Sequence, residues 1–337
     1  MARPTVFEVT TMRLLLATDG STSAEHALQL LLREPWPTAS VVRVVAVLDE
    51  AAMAAGAPWP VVPAVMPDTL DELARTAAMT TLEGAADRLR PVLAVETAIL
   101  AGRPAQAIAE EARRWSADVI VMGSRGHGAL STMVLGSVSA EVIDLTDRPV
   151  LVARTDRLRG IVLGVDGSAG AERAADLVLR WTPFRSAPIH VVAVAPSAYP
   201  WWVGMAEAGG VTTVPELLAS EEAVRGEEGE VVQATASRLA AAGFRATCTV
   251  REGDAADQLI RAAADTGSDL IVVGTRGRTG LARLVLGSVA RNVVTHAPCS
   301  VLVVHGPRGP VHASVTDEPA ATDTRGEPLA VAGNRHP

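Results

Sequence analysis

The segments ADVIVMGSRG, residues 117–126, and SDLIVVGTRG, residues 268–277, decide how this 337-residue chain folds. Each opens as a short, nearly unbroken apolar run, the composition of a strand buried on both faces of a parallel sheet. Each then breaks into glycines. The first continues from Gly123 as GSRGHGALSTMVLGS to Ser137, the second from Gly274 as GTRGRTGLARLVLGS to Ser288. The spacing G-x2-G-x9-G and the closing serine are kept in both, while most residues between the second and third glycines differ.

The doubling extends outward. RLLLATDGSTSAEHAL at 13–28 returns as GIVLGVDGSAGAERAA at 160–175, and VLGSVSAEVI at 134–143 returns as VLGSVARNVV at 285–294. The order is the same each time, so one domain is written twice in tandem. The copies span 11–154 and 159–306, joined by the charged link TDRLR. Residues 307–337, rich in Pro, Gly, Asp, Thr and Arg and without apolar period, are expected to form a disordered tail.

Within each copy, short apolar runs alternate with amphipathic stretches. RLLLAT reads as a strand ending at Asp19-Gly20. TSAEHALQLLL reads as a helix, with Thr22 and Glu25 at capping-box spacing. SVVRVVAVL is a second strand, residues 69–90 a helix and residues 94–100 a third strand. RPAQAIAEEARRW is a helix with Pro104 in its first turn. DVIVMG is the fourth strand, SVSAEVIDL a helix and PVLVAR the last strand. Such alternation predicts an α/β fold, with a doubly wound parallel sheet covered on both faces in each copy. Ligands in these folds bind beyond the strands' carboxyl ends, where the strand order reverses. Asp19 and Gly123 fall at such ends, as do Asp166 and Gly274.

Composition narrows the chemistry. All thirty basic residues are arginine, so a Walker-type lysine, a kinase-type strand lysine and a Schiff-base lysine are excluded. The net charge of -8 argues against a general nucleic-acid binder. Cys248 and Cys299 are too few for a disulfide framework or a zinc site, and Cys299 reads as a small buried thiol. No apolar run is long enough to span a membrane, and MARPTVFEVTTMR lacks a secretory core, so a soluble cytoplasmic protein is expected.

Phosphate, in a chain without lysine, must be held by backbone N–H groups, hydroxyls or arginine. The glycines suit this, because they allow positive φ and close approach of the backbone to a ligand. Gly136-Ser137 and Gly287-Ser288 open helices whose N-terminal amides and dipole favour an anion. The alternative is that the glycines serve only tight turns and helix starts. Asp19 and Asp166 carry the same ambiguity, since Asp-Gly is a common turn dipeptide. His26 and His127 align with arginines and are not repeated. The Pro- and Trp-bearing stretches at 56–67 and 195–205 read as loops over a ligand or at a domain contact, or as linkers packed on their own domain.

The glycine pattern after a fourth strand, together with Asp-Gly-Ser after the first, resembles the universal stress protein family, and in particular its tandem nucleotide-binding members. The likeness covers nearly all of 11–306. It implies a Rossmann-like fold of five parallel strands per copy and binding of ATP, with Mg accompanying the nucleotide. It places Asp19 and Asp166 near ribose or adenine, and Val47 and Val194 beside the base. It puts phosphate on Gly123, Gly126, Gly136 and Ser137, and on Gly274, Gly277, Gly287 and Ser288. Ser124, Arg125 and Val138, with Thr275, Arg276 and Val289, complete the expected contacts. Ala17 departs from the pattern, where the second copy has Gly164, and its methyl would crowd a nucleotide; one alternative is therefore a tandem scaffold in which only the second copy binds. The expected role is a nucleotide-dependent stress-response or signalling module acting through an unknown protein partner. A slow ATPase or nucleotidyl-transfer enzyme is the rival. The family also implies pairing through the last strand, between chains or, with PVLVAR against SVLVVH, inside one chain.

Overall fold

A computed structural model describes residues 11–49, 67–126, 135–196, 214–275, 277 and 286–305. Side chains are not described for 67–71, 182 and 214–221. The first copy runs β1 (Arg13–Ala17), α1 (Thr22–Arg33), β2 (Val41–Leu48), α2 (Pro67–Leu89), β3 (Ala94–Ala101), α3 (Pro104–Arg114), β4 (Val119–Gly123), α4 (Ser137–Leu145) and β5 (Val150–Ala153). The second repeats this as β6 (Ile161–Gly164), α5 (Ala169–Arg180), β7 (Ile189–Ala195), α6 (Val214–Ala241), β8 (Ala246–Glu252), α7 (Ala255–Thr266), β9 (Leu270–Gly274), α8 (Ser288–His296) and β10 (Ser300–Val304). A short 3-10 turn, Thr182–Arg185, follows α5. The tail 307–337 and most of the two Pro- and Trp-bearing stretches lie outside the described residues.

All ten strands form one sheet in the order β3-β2-β1-β4-β5-β10-β9-β6-β7-β8. Pairing within each copy is parallel. The central pair β5–β10 is antiparallel, with Leu302 opposite Leu151 and Val301 opposite Val152. The last strands therefore pair inside one chain, as an internal pseudo-dimer.

Two apolar layers cover the sheet. One contains buried residues of α1, α2, α5 and α6, the other of α3, α4, α7 and α8, and each runs through both copies. Alternation along the strands explains the split: Leu14 and Leu16 face the first layer, Leu15 the second. The doubly wound expectation holds. The capping expectation does not: the N-cap of α1 is Ser21, whose Oγ accepts from Ala24 N at 3.2 Å. Glu25 turns away from the helix start, pairing with Arg88 and accepting from Gln29. The repeat reproduces the serine cap, with Ser168 accepting from Ala171 N at 3.2 Å.

The seam is tied by a swapped pair of contacts. The guanidinium of Arg154, one residue past β5, donates to the carbonyl of Val294 in α8 at 2.5 Å. His305, at the matching place past β10, donates through Nε2 to the carbonyl of Ile143 in α4 at 2.9 Å. Each copy thus supplies a donor to the helix C-terminus of the other, where carbonyls lack helical partners. Burial lowers the Arg154 pKa to about 10, helped by the nearby charge of Arg125, so it stays cationic at neutral pH.

Candidate functional site

Strand order reverses between β1 and β4 in the first copy, and a cleft of about 780 Å³ opens there at the carboxyl ends of the strands. Ala17, Thr18 and Asp19 line it from the end of β1, Val47 and Leu48 from β2, and Gly123, Arg125 and Gly126 from the loop after β4. Gly136, Ser137 and Val138 close it at the start of α4. This volume lies within the usual range of small-molecule sites.

The turn after β1 is built by Asp19. Its Oδ1 accepts from Ser21 N at 3.0 Å, while Gly20 takes the left-handed φ of +78°. Asp166 and Gly167 repeat this, with 3.0 Å to Ser168 N and a φ of +74°. The loop after β4 is then fastened to that turn, because Ser21 Oγ donates to the carbonyl of Arg125 at 3.2 Å.

The glycines have a different local reason from the one expected. None of Gly123, Gly126 and Gly136 is at positive φ. What each requires is the absence of a Cβ. On Gly123, that atom would lie 2.5–2.6 Å from the backbone of Ser23 and Ala24, and on Gly274, 2.5–2.9 Å from that of Gly170. These glycines let the end of the fourth strand touch the first turn of the helix after the first strand. A Cβ on Gly126 would lie 2.5 Å from Asp19 Oδ2, and one on Gly277 2.7 Å from Asp166 Oδ2. Gly136 N donates to the carbonyl of Ser124 and Gly287 N to that of Thr275, both at 2.8 Å. The spacing thus seats an aspartate carboxylate against a glycine loop and returns the chain to start a helix.

That helix start carries the anion-binding potential. Gly136 and Gly287 provide no side-chain cap, so the first-turn amides of α4 and α8 receive no acceptor from the N-cap residue. Ser139 is occupied elsewhere, donating to the carbonyl of Gly123 at 2.9 Å. Ser137 and Arg125 face the cleft, and the cationic Arg154 stands close to Arg125. Arg125 and the uncapped start of α4 favour negative charge there, and the Asp19 carboxylate, also in the lining, opposes it.

Not every expected residue reaches the cleft. Ser124 and Thr275 are buried, and their carbonyls hold the returning glycines. Val194 is half-buried at the end of β7 and Val289 is exposed in the first turn of α8. Arg276, like His127, lies outside the described residues. Ala17 does reach the cleft, although it is only 7% exposed and packs in the layer that holds Ile108 and Met122. At Gly164 a Cβ would meet Leu259 and Val273, the counterparts of those two residues, at 3.1–3.3 Å. The alanine–glycine difference therefore follows a change in core neighbours. Cys299 is a buried thiol, its pKa pushed up to about 11 by desolvation.

Sequence reasoning missed the wall opposite the sheet. Ala74, Ala77, Ala78 and Thr81 of α2 line the cleft, as do Pro104 and Ile108 of α3. Alanine has no chemical signature; only helical spacing combined with the repeat could have singled these positions out. Among the described residues there is no group of His, Cys, Asp and Glu suited to a metal ion, and no helix long and apolar enough to cross a membrane.

Comparison with known proteins agrees with this architecture. The family model described as "Universal stress protein family" matches twice, over residues 10–154 and 158–305. A universal stress protein of Methanocaldococcus jannaschii is 34% identical over 152 residues, covering 44% of this chain and 82% of that protein. One from Mycolicibacterium smegmatis is 27% identical over 307 residues, covering 86% and 96% respectively. The crystal structure of a universal stress protein from Archaeoglobus fulgidus superposes with a TM-score of 0.59 at 19% identity, over 88% of this chain and 98% of that one. Two tandem matches spanning nearly all of the described residues, on the doubly wound fold just described, make this chain a member of the universal stress protein family.

Proposed function

We propose that the chain binds ATP at the carboxyl edge of its sheet and uses occupancy as a signal. The observation that carries this reading is the first cleft itself. It combines a glycine loop, a helix N-terminus without a side-chain cap, Ser137 and Arg125 around about 780 Å³. Main-chain amides and the serine hydroxyl would hold the phosphates, with Arg125 supplying charge. Asp19, fixed by Ser21 N and stacked on Gly126, would face the ribose hydroxyls as an acceptor. Val47 and the apolar residues of α3 would take the base. A magnesium ion would arrive with the nucleotide, coordinated mainly by phosphate and water. Ligand that bridges the loop after β4 and the start of α4 would order both, shifting the population of conformers presented to a partner.

Ser137→Asp combined with Ser288→Asp places a carboxylate on each helix start, where it competes with phosphate. Calorimetric titration with ATP and magnesium is expected to show binding to the parent chain and at least tenfold weaker binding to the double variant, with unchanged far-ultraviolet dichroism. Equal affinity in the two proteins would contradict the assignment.

A further inference from the structure

We infer that Thr81 of α2 and Asp19 together read two neighbouring sugar hydroxyls, so that the first cleft selects ribonucleotides over their deoxy counterparts. The inference rests on the ATP-binding reading of that cleft and adds a second residue to its sugar end. It begins with the hydroxyl side chains in the lining, Thr18, Thr81, Ser137 and Ser139. Thr18 Oγ1 accepts from Gly20 N at 3.2 Å, and Ser139 donates to the carbonyl of Gly123. Ser137 opens α4, the end proposed for phosphate. Thr81 is left, half-buried on the α2 wall.

Its surroundings place that hydroxyl. A Cβ on Gly20 would lie 3.3 Å from both Oγ1 and Cγ2 of Thr81, so the side chain rests on the turn that carries Asp19. Helix α2 is held in this register by Arg88, two turns further along the same face. The Arg88 guanidinium donates to both carboxylate oxygens of Glu25, at 2.8 and 2.5 Å. Threonines inside helices can return the hydroxyl to the carbonyl four residues back. Thr76 does so to Glu72 at 2.8 Å and Thr80 to Thr76 at 2.9 Å. Thr81 does not, and no hydrogen bond joins its Oγ1 to any described residue.

The fold does not call for this hydroxyl. Leu82, Ala85, Ala86 and Leu89 are buried on α2, and Val232, Thr235, Ala236 and Leu239 are buried on α6, a constant shift of 150. The same shift carries Arg88 to Arg238, which pairs with Glu172 as Arg88 pairs with Glu25. It carries Thr81 to Val231, which packs against the core with a methyl in place of the hydroxyl.

Chemistry assigns the ligand group. A carboxylate only accepts, whereas a hydroxyl both donates and accepts. Side by side, the two match a vicinal diol: one sugar hydroxyl donates to Asp19, and its neighbour exchanges a hydrogen bond with Thr81. A sugar lacking either hydroxyl forfeits that bond, which at neutral strength is worth roughly three- to tenfold in affinity.

Titration of the full chain with ATP, 2′-deoxy-ATP and 3′-deoxy-ATP, each with magnesium, tests this. The parent is expected to bind ATP more tightly than each analogue by roughly threefold or more. Thr81→Val, which has the shape of its counterpart in α6, is expected to bind ATP about fivefold more weakly. It should bind one analogue as the parent does, the one without the hydroxyl that Thr81 meets. Thr81→Ser is expected to restore the parent's preference. An equal loss for all three nucleotides in Thr81→Val would mark Thr81 as structural. That result, an unchanged ATP affinity in Thr81→Val, or a parent that binds all three alike overturns the inference and leaves the ATP reading standing. A parent that binds none of the three removes the reading and the inference together. Should Thr81→Val fail to fold, Thr81→Ala takes its place in the same comparison.

Discussion

At the residue scale, the glycine spacing shows how one pattern answers two demands. Gly123 and Gly274 are glycine because a helix backbone occupies the place of a side chain, whatever ligand is present. Gly123→Ala must push β4 away from α1, and overpacking of this kind costs about 1–3 kcal/mol. Denaturant unfolding without nucleotide is expected to register that loss; an unaffected midpoint would mean that the close approach is not needed. The sequence displayed the spacing but not its cause, because packing between distant segments leaves no local mark. Asp19 was legible as a repeated strand-end residue, and its seat against Gly126 explains the repetition. The serine cap of α1 was misassigned by one position, since Ser21 and Thr22 are both residue types that cap helix N-termini, serine the better of the two. The alanine wall of α2 was illegible, because alanine carries no chemical signature and these residues meet the cleft only through tertiary packing.

At the element scale, strands and helices were legible nearly to their ends because each apolar run has the period of its surroundings: continuous in buried strands, three-to-four spaced in α1 and α3. Contacts between copies were not, as they depend on which edges meet. Glu34, at the end of α1, is one such contact; its Oε1 accepts from Leu158 N at 2.8 Å, tying α1 to the link between copies. Desolvation raises its pKa above 4.5. The folded chain thus binds this proton more tightly than the unfolded chain does. Glu34 favours folding most below its unfolded pKa, and stability declines as pH rises through the folded value. Glu34→Gln keeps an acceptor for Leu158 N and removes that proton. The stability of the variant relative to the parent is expected to improve from pH 4 to pH 7, measured by urea unfolding at intervals of pH. A constant difference across that range would show that Glu34 is not titrating in the folded chain.

For the molecule as a whole, repetition announced two domains, and the structure joins them more closely than adjacent domains require. Both apolar layers continue across the seam, and residues up to Gly306 cluster as one compact unit. Trp36 and Trp181, from opposite copies, meet edge to face at 6.3 Å, and Arg33 pairs with Asp156 of the link. Breaking one copy exposes the inner face of the other. Calorimetric unfolding is therefore expected to give one transition with matching calorimetric and van't Hoff enthalpies. Two separated transitions would show that each copy holds its own core.

The antiparallel junction of β5 and β10 has an outcome for assembly. The strand border that a solitary copy would leave open for a stranger is permanently spent on its own sibling. Among the described residues, the outermost strands are β3 and β8, bordered by Arg43–Glu96 and Arg251–Asp265 couples that resist sticking. Exchange of partners at the central border would first require the antiparallel pair to open. Each half therefore faces the same companion in every copy of the molecule.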